Sequence, residues 1–323
     1  MNNEKIFFEK FKEFLKNQPL VFILIGLCII ISSVSPVFLL PQNLINVLIQ
    51  ISINALIATG MTFVIISGGI DLSVGSVAAL CGIVVTAIIQ PYVDISIPLT
   101  VTLMVVLSII VGLIIGGING FAISRLRVPS FVATLATMNI ARGFAYVYTK
   151  SRSIYGLPEA FGWIGQGYVG PIPVIVIIVL LVLLTAHIIL SQTVFGRYVY
   201  AVGSNEEVAK LCGINVKNIK LKVYIISGVL SAFAGACLAS RLITGQPTAA
   251  QGYELNAIAA VALGVGGMSG GKGGIGKTVQ GILIIGVINN GLNLMKISSY
   301  WQIITMGVII LGALIIGQFE KED

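Results

Sequence analysis

Long apolar tracts alternate with short polar interruptions along most of this chain. A membrane-spanning helix needs about 20 mainly apolar residues. Such tracts run near Leu20 to Phe38, Leu44 to Ile66, Ser76 to Gln90, Ile97 to Ile123 and Ser130 to Tyr148. Five more run near Ile172 to Leu190, Val223 to Ile243, Leu255 to Met268, Ile275 to Leu294 and Tyr300 to Gly317. The pattern predicts an all-α, polytopic transmembrane bundle of about ten spans over residues 20–317. Its most informative interruption is Gly68, Gly69, Ile70, Asp71, Leu72, Ser73, Val74 and Gly75. Lipid cannot satisfy free N–H and C=O groups, so irregular backbone at membrane depth must be covered by protein or a water-filled cavity. The break therefore predicts a passage or a joint, with Gly68, Gly69, Asp71, Ser73 and Gly75 as candidate residues. Asp71 and Ser73 stabilise the break or border the passage; the alternative is that Asp71 only caps the third helix through its carboxylate.

Composition agrees: 57% of the 323 residues are hydrophobic and 10% charged, against about 25% charged in soluble domains. Cytoplasmic loops carry an excess of Lys and Arg. With the N-terminus inside, fourteen of nineteen basic residues fall on the inner side, and only Lys150, Arg152, Arg241 and Lys296 on the outer. Both termini are then cytoplasmic. The net charge of +7 follows from this topology and calls for no nucleic acid. Residues 1–19 read as a cytoplasmic amphipathic segment, with Phe7, Phe8, Phe11, Phe14 and Leu15 at helical spacing, and 318–323 as a cytoplasmic tail. Cys28, Cys81, Cys212 and Cys237 lack metal or redox spacing, and the single His187 sits in an apolar span.

The long inner interruption, 195–222, contains a short helix with Ser204 or Asn205 as its cap, Glu206 and Glu207 on the positive end and Gly213 at its close. Val208, Leu211 and Cys212 form an apolar face that either fits a groove on a partner or lies against the bilayer. Thr149 to Pro171 is the long outer loop, whose Tyr155, Trp163 and Tyr168 read as interface anchors. Arg142 would cost roughly 3 kcal/mol in lipid. It is expected to face the bundle interior with Asn139 on the same face, supporting helices or touching solute. Ile114, Ile115, Gly116, Ile118 and Asn119 are echoed by Ile284, Ile285, Gly286, Ile288 and Asn289, as an inverted repeat of two five-span halves requires.

Gly271 to Thr278 matches the nucleotide-binding pattern G-x-x-x-x-G-K-T and resembles the loop of the septum-site and partition ATPases. A phosphate-binding loop needs a buried strand before it and a downstream carboxylate for magnesium. After Thr278 the only acids are Glu320, Glu322 and Asp323, beyond two spanning tracts. The loop therefore reads as a glycine-rich turn between spans, with Lys272 and Lys277 marking the inner side.

Several blocks taken together resemble the ribose-type permease subunits of ATP-binding-cassette importers. They are GMTFVIISGGIDLSVG from Gly60, VPSFVATLATMNIARG from Val128, GRYVYAVGSNEEVAKLCGINV from Gly196, QPTAAQGYELNAIAAVALG from Gln246, GGKG from Gly270 and NNGLNL from Asn289. The resemblance implies a permease of the bacterial cell membrane that dimerises and takes a monosaccharide, ribose first, from an extracytoplasmic binding protein. The same broader group moves galactose, xylose, autoinducer sugars, nucleosides and branched-chain amino acids. It implies no cofactor in this chain, ATP and magnesium being bound by a separate ATPase subunit, and transport by alternating access. Gly203, Ser204, Asn205, Glu206, Glu207, Val208, Ala209, Leu211 and Gly213 are similar to the family's ATPase-docking loop. Glu207 and Val208 depart there from the common E-A-A wording, and Asn256 stands where relatives often carry an acid. Gln246 and Glu254 join the translocation candidates at the outer mouth. An ion-driven secondary transporter built around the Asp71 break is the competing reading, and a membrane-tethered nucleotide-binding enzyme using Lys277 is the third.

Overall fold

A computed structural model describes residues 19–92, 94–265, 267 and 270–319. The segment before Pro19 and the last four residues of the tail lie outside them. The described chain is helical apart from one two-residue hairpin. Its elements are α1 (Pro19–Val34), α2 (Pro41–Ile66), α3 (Val74–Ile89), α4 (Ile97–Ser124) and α5 (Ser130–Thr149), then α6 (Trp163–Gln166), β1 (Tyr168–Val169) and β2 (Ile172–Pro173). After these come α7 (Val174–Gln192), α8 (Val194–Ser204), α9 (Glu206–Leu211), α10 (Val216–Leu242), α11 (Tyr253–Val265), α12 (Ile275–Leu294) and α13 (Ser299–Phe319). Five of these, α2, α4, α7, α10 and α12, are long and apolar enough to cross a membrane.

The expected tracts recur with boundaries moved by a few residues, and three of the shifts have a plain local description. The first helix ends at Val34 because Pro36 bars the helical conformation from the residue before it, and a 3-10 turn over Pro36–Leu39 follows. The sixth starts at Val174, because Ile172 and Pro173 pair with Val169 and Tyr168 in the hairpin. The seventh, α10, starts at Val216 rather than Val223, so Lys217, Lys220 and Lys222 sit on its first two turns.

Three apolar helices, α1, α3 and α11, are too short to cross alone, α1 having the same 16 residues as α3. At 1.5 Å per residue, α3 with 16 residues and α11 with 13 reach about 24 and about 20 Å, against a hydrocarbon core of about 30 Å. Each is preceded by non-helical chain, 67–73 before α3 and 243–252 before α11, which makes up the difference.

The centre of the bundle is α10, packed against α2, α3 and α4. Its contact with α4 is set by glycines four residues apart. A Cβ on Gly112 would stand 2.6 Å from the Val229 nitrogen, one on Gly116 2.9 Å from the Ile225 Cα, and one on Gly120 2.9 Å from the Leu221 carbonyl oxygen. Gly228 answers from the other side, where a Cβ would stand 2.6 Å from the Gly112 oxygen. In lipid no hydrophobic force drives helices together, so close backbone approach of this kind carries the packing.

Gly116→Ala pushes a methyl into backbone that cannot yield, and overpacking of this kind costs about 1–3 kcal/mol. Gly117→Ala meets nothing within 4 Å and gains helix propensity. Thermal unfolding in detergent is expected to show a lowered midpoint for the first and an equal or raised one for the second.

Candidate functional site

The first break begins where α2 ends. Gly68 turns the chain with φ +81°, and the backbone then runs to Ser73 without helical hydrogen bonds of its own. Its exposed groups are met from three helices. Tyr224 Oη of α10 donates to the Ile70 carbonyl at 3.3 Å, and Thr134 Oγ1 of α5, whose short bond is to the Ser130 carbonyl at 2.8 Å, lies 3.4 Å from the same oxygen. Asp71, 1% exposed, is the hub of the remaining bonds. Its Oδ1 accepts from Ser73 N at 3.0 Å and Ser73 Oγ at 2.6 Å, and its Oδ2 accepts from Ser227 Oγ of α10 at 2.8 Å. Ser73 Oγ in turn accepts from Asn119 Nδ2 of α4 at 2.9 Å, so donors run in one direction from Asn119 through Ser73 to Asp71. Three donors on one carboxylate are what a buried acid needs to stay in a low-dielectric site.

This arrangement replaces the capping alternative. The N-cap of α3 is Ser73, and no side chain caps that helix; the Asp71 carboxylate fastens the turn before it. Gly68 and Gly69 line an inner cavity of about 480 Å³ together with Ser130, Glu206, Lys220 and Tyr224, whereas Asp71, Ser73 and Gly75 are buried in the joint.

The second break is the 243–252 segment. Ile243 ends α10 in the left-handed region, and Gly245 pairs with Ile154 of the outer loop. The segment ends at Gly252, whose φ of +82° directly precedes α11. Arg142 of α5 donates Nη1 to the carbonyls of Pro247 at 2.7 Å and Ala249 at 2.8 Å. Its partners are backbone, which assigns it to holding this segment. Asn139 does not join it: it is exposed and donates to Leu135 on its own helix. Glu254 Oε1 accepts from Gly252 N at 3.2 Å, and Gln246 is half-buried at the start of the segment. The two breaks touch, since a Cβ on Gly75 would fall on the Ala250 carbonyl and the Glu254 carboxylate.

On the inner side, the single short helix expected around Glu206 is a pair, α8 and α9. Asn205, rather than Ser204, caps α9, with Oδ1 accepting from Glu207 N and Val208 N at 3.0 Å each. Ser204 is the last residue of α8. Gly213 closes α9 at φ +80°. Ala209 packs inward, while Val208 at 53% and Leu211 at 87% exposure project outward. Glu206 pairs with Lys210 at 2.8 Å and with Lys220 of α10 at 2.5 Å, and these two bonds hold its carboxyl below the usual glutamate range. Lys220 lies one turn from Tyr224 and two from Ser227, so α10 links Glu206 physically to the Asp71 joint.

The glycine loop closes the same corner. Gly270, Gly271 and Gly273 all take positive φ; Gly271 N donates to the Ile66 carbonyl at 2.8 Å, and Tyr200 Oη to the Gly273 carbonyl at 2.8 Å. A Cβ on Gly203 would fall on that same Ile66 oxygen. Thr278 is fully buried with its hydroxyl 2.8 Å from that of Thr62, so it is committed to helix packing where a nucleotide loop would offer it to magnesium. Among the described residues no His, Cys, Asp or Glu cluster could hold a metal, and His187 is exposed on α7.

Residues 43–314 match the family described as branched-chain amino acid transport system / permease component. The chain belongs to this family. It is 48% identical over 292 residues to the ribose import permease protein RbsC of Bacillus subtilis, covering 90% of this chain and 89% of that one. It is 44% identical over 319 residues to the ribose import permease protein RbsC of Haemophilus influenzae, covering 98% and 97%. It is 38% identical over 274 residues to the L-arabinose transport system permease protein AraH of Escherichia coli K12, covering 85% and 82%. No solved structure matches it. The protein is thus a multi-pass membrane permease and not a catalytic subunit, in keeping with the buried Thr278.

Removing one donor from the Asp71 joint tests its role in this permease. Ser227→Ala leaves a buried carboxylate oxygen short of a charge-assisted bond worth about 1.5–3 kcal/mol, and a lowered unfolding midpoint in detergent is expected. The Glu206 tie has a defined pH window. Because its folded pKa is depressed, its stabilisation is complete above the free-chain value of about 4.3 and is lost only as pH falls through the lower folded value. A carboxyl titration followed by NMR should place Glu206 below free glutamate and move it upward in Lys220→Met.

Proposed function

We propose that this permease carries ribose into the cytoplasm as the membrane subunit of an ATP-binding-cassette importer. The observation that carries the reading is the likeness to ribose import permeases over nine-tenths of the chain. ATP and magnesium belong to a separate cytoplasmic ATPase, sugar is delivered by an extracytoplasmic binding protein, and two copies of this chain form the permease pair in the bacterial cell membrane. The protein is a ten-span domain over 20–317 with both termini cytoplasmic.

An inverted repeat of α1–α5 and α7 with α10–α13 is supported by exchanged neighbours. In the first half α3 packs on α4, α5 and α10; in the second α11 packs on α12, α13 and α2. Likewise α4 packs on α10 and α12 on α2. Each half then contains one broken span, α3 or α11, and transporter folds place their moving parts at such discontinuous helices.

Coupling runs through residues 203–213. The exposed Val208 and Leu211 dock on the ATPase, and Asn205, Glu206, Glu207 and Gly213 fix the shape of the docking helix. Movement of α9 reaches α10 through the Glu206–Lys220 pair, and α10 shifts the Asp71 joint so that the two breaks open one face at a time. An ion-driven carrier gives an exposed apolar helix end on the inner side no task.

Reconstitution in liposomes separates the readings. ATP-dependent ribose uptake is expected only when ATPase, binding protein and permease are combined, and uptake driven by a proton or sodium gradient through this chain alone would refute the proposal. Glu206→Lys, which reverses one side of the Lys220 pair, and Gly213→Leu, which forces a bulky residue into positive φ, should uncouple ATP hydrolysis from uptake while the protein still inserts. Unchanged ATPase binding and uptake in both would remove the docking assignment.

A further inference from the structure

One face of α2 carries Gln42, Asn46, Gln50 and Asn54, four carboxamides each four residues from the next. Residues at i and i+4 lie above one another on a helix, so the four form a row about 18 Å long running from the start of α2 to its middle. Gln42 and Asn46 are exposed, and Gln50 and Asn54 are half-buried. The exposed Leu44 and Leu48 lie on the opposite side of the same helix, so the amide row is a distinct face. It ends at a notch of about 20 Å³ between α2, α11 and α12, where Gln50 and Asn54 meet Asn256 and Asn289.

None of these six side chains makes a hydrogen bond among the described residues, and the Oδ1 of Asn54 is both buried and unpartnered. Neighbouring amides behave differently. Asn43 and Asn290 exchange two bonds of 3.0 Å each; Asn119 gives its Nδ2 to the Asp71 joint, although its Oδ1 is buried without a partner as well. An amide taken from water without a partner is penalised, so the inner end of the row, at Gln50 and Asn54, calls for a polar partner. A notch of this size holds one oxygen atom, far less than a whole sugar.

The geometry points to this row as a track for sugar hydroxyls, along which ribose passes with one hydroxyl at a time on a carboxamide and one seated in the Asn54–Asn256–Asn289 notch. Carboxamides both donate and accept, as hydroxyls do, and carry no charge to select ions. Single, neutral contacts also suit a conduit, in which binding must be strong enough to admit solute and weak enough to release it. The assignment rests on the importer reading above, and deepens it by naming where solute touches the chain.

The test uses the complete reconstituted importer, with uptake of ribose and of 2-deoxy-, 3-deoxy- and 5-deoxyribose measured as the ratio of variant to wild type, which cancels the binding protein's own preference. Asn54→Leu and Asn256→Leu are expected to lower ribose uptake about tenfold, the equivalent of one hydrogen bond. For one of the three deoxy sugars the ratio should return to within about twofold of unity, because the hydroxyl that the notch serves is already missing. Equal loss for all four sugars, or no loss for any, would mean that the notch holds only a structural water, and would overturn the proposal. If Asn54→Leu fails to insert, Asn289→Leu and Asn54→Ser carry the same comparison. Wild-type protein that takes up no ribose with its partners present would instead remove the importer reading.

Discussion

Wherever a chain leaves the helix inside a bilayer, every freed N–H and C=O must find a partner in protein or enclosed water, and the two non-helical stretches of this permease are built to meet that demand. At 67–73 the partners are a carboxylate and hydroxyls: Asp71 gathers Ser73 and Ser227, and Tyr224 donates to the Ile70 carbonyl. At 243–252 a guanidinium does the work from outside, with Arg142 spanning the Pro247 and Ala249 carbonyls. A buried acid serves one break and a half-buried base the other. Neither charged group is available as a free ligand, and this separates the joints from the amide row on α2.

Close helix contact determines how such joints can move. The Gly112, Gly116 and Gly120 face on α4 brings backbone against the α10 backbone, and packed interfaces of this density shift as bodies and do not stretch. A displacement of α10 at its inner end therefore carries Tyr224 and Ser227 with it. The inner corner is equally tight: Gly203, the Ile66 carbonyl and Gly271 meet there, joining α8, α2 and the loop before α12. The Glu206–Lys220 pair is half-exposed and contributes less than about 1 kcal/mol to stability. Its importance is directional, because it ties α9 to α10, which carries Tyr224 and Ser227 into the Asp71 joint.

The apolar tracts and the glycine-rich interruptions were legible because each is a local property: a run of about twenty apolar residues is long enough to cross lipid. Helix ends with chemical signals were also legible, as at Glu206, Glu207 and Gly213. Ser204 and Asn205 were equivalent as caps on residue type alone, and the end of α8 decided between them. The Asp71 bonds were not readable, because Ser227 and Asn119 lie 156 and 46 residues from their partners. Asn139 looked like a companion of Arg142 by spacing, yet only Arg142 faces the 243–252 segment.

The sequence by itself determined that this chain is a membrane-embedded helical protein with a short capped helix at Glu206–Leu211, since hydropathy and capping act over one to four turns. Only the tertiary structure decided which polar residues are spoken for. Asp71, Asn43 and Asn290 are satisfied by distant side chains and Asn119 gives its Nδ2 to Ser73, while Gln50, Asn54, Asn256 and Asn289 converge with no mutual bond. Hydrogen bonding in a bundle depends on which faces of separate helices meet, and residue order along one helix carries no record of that.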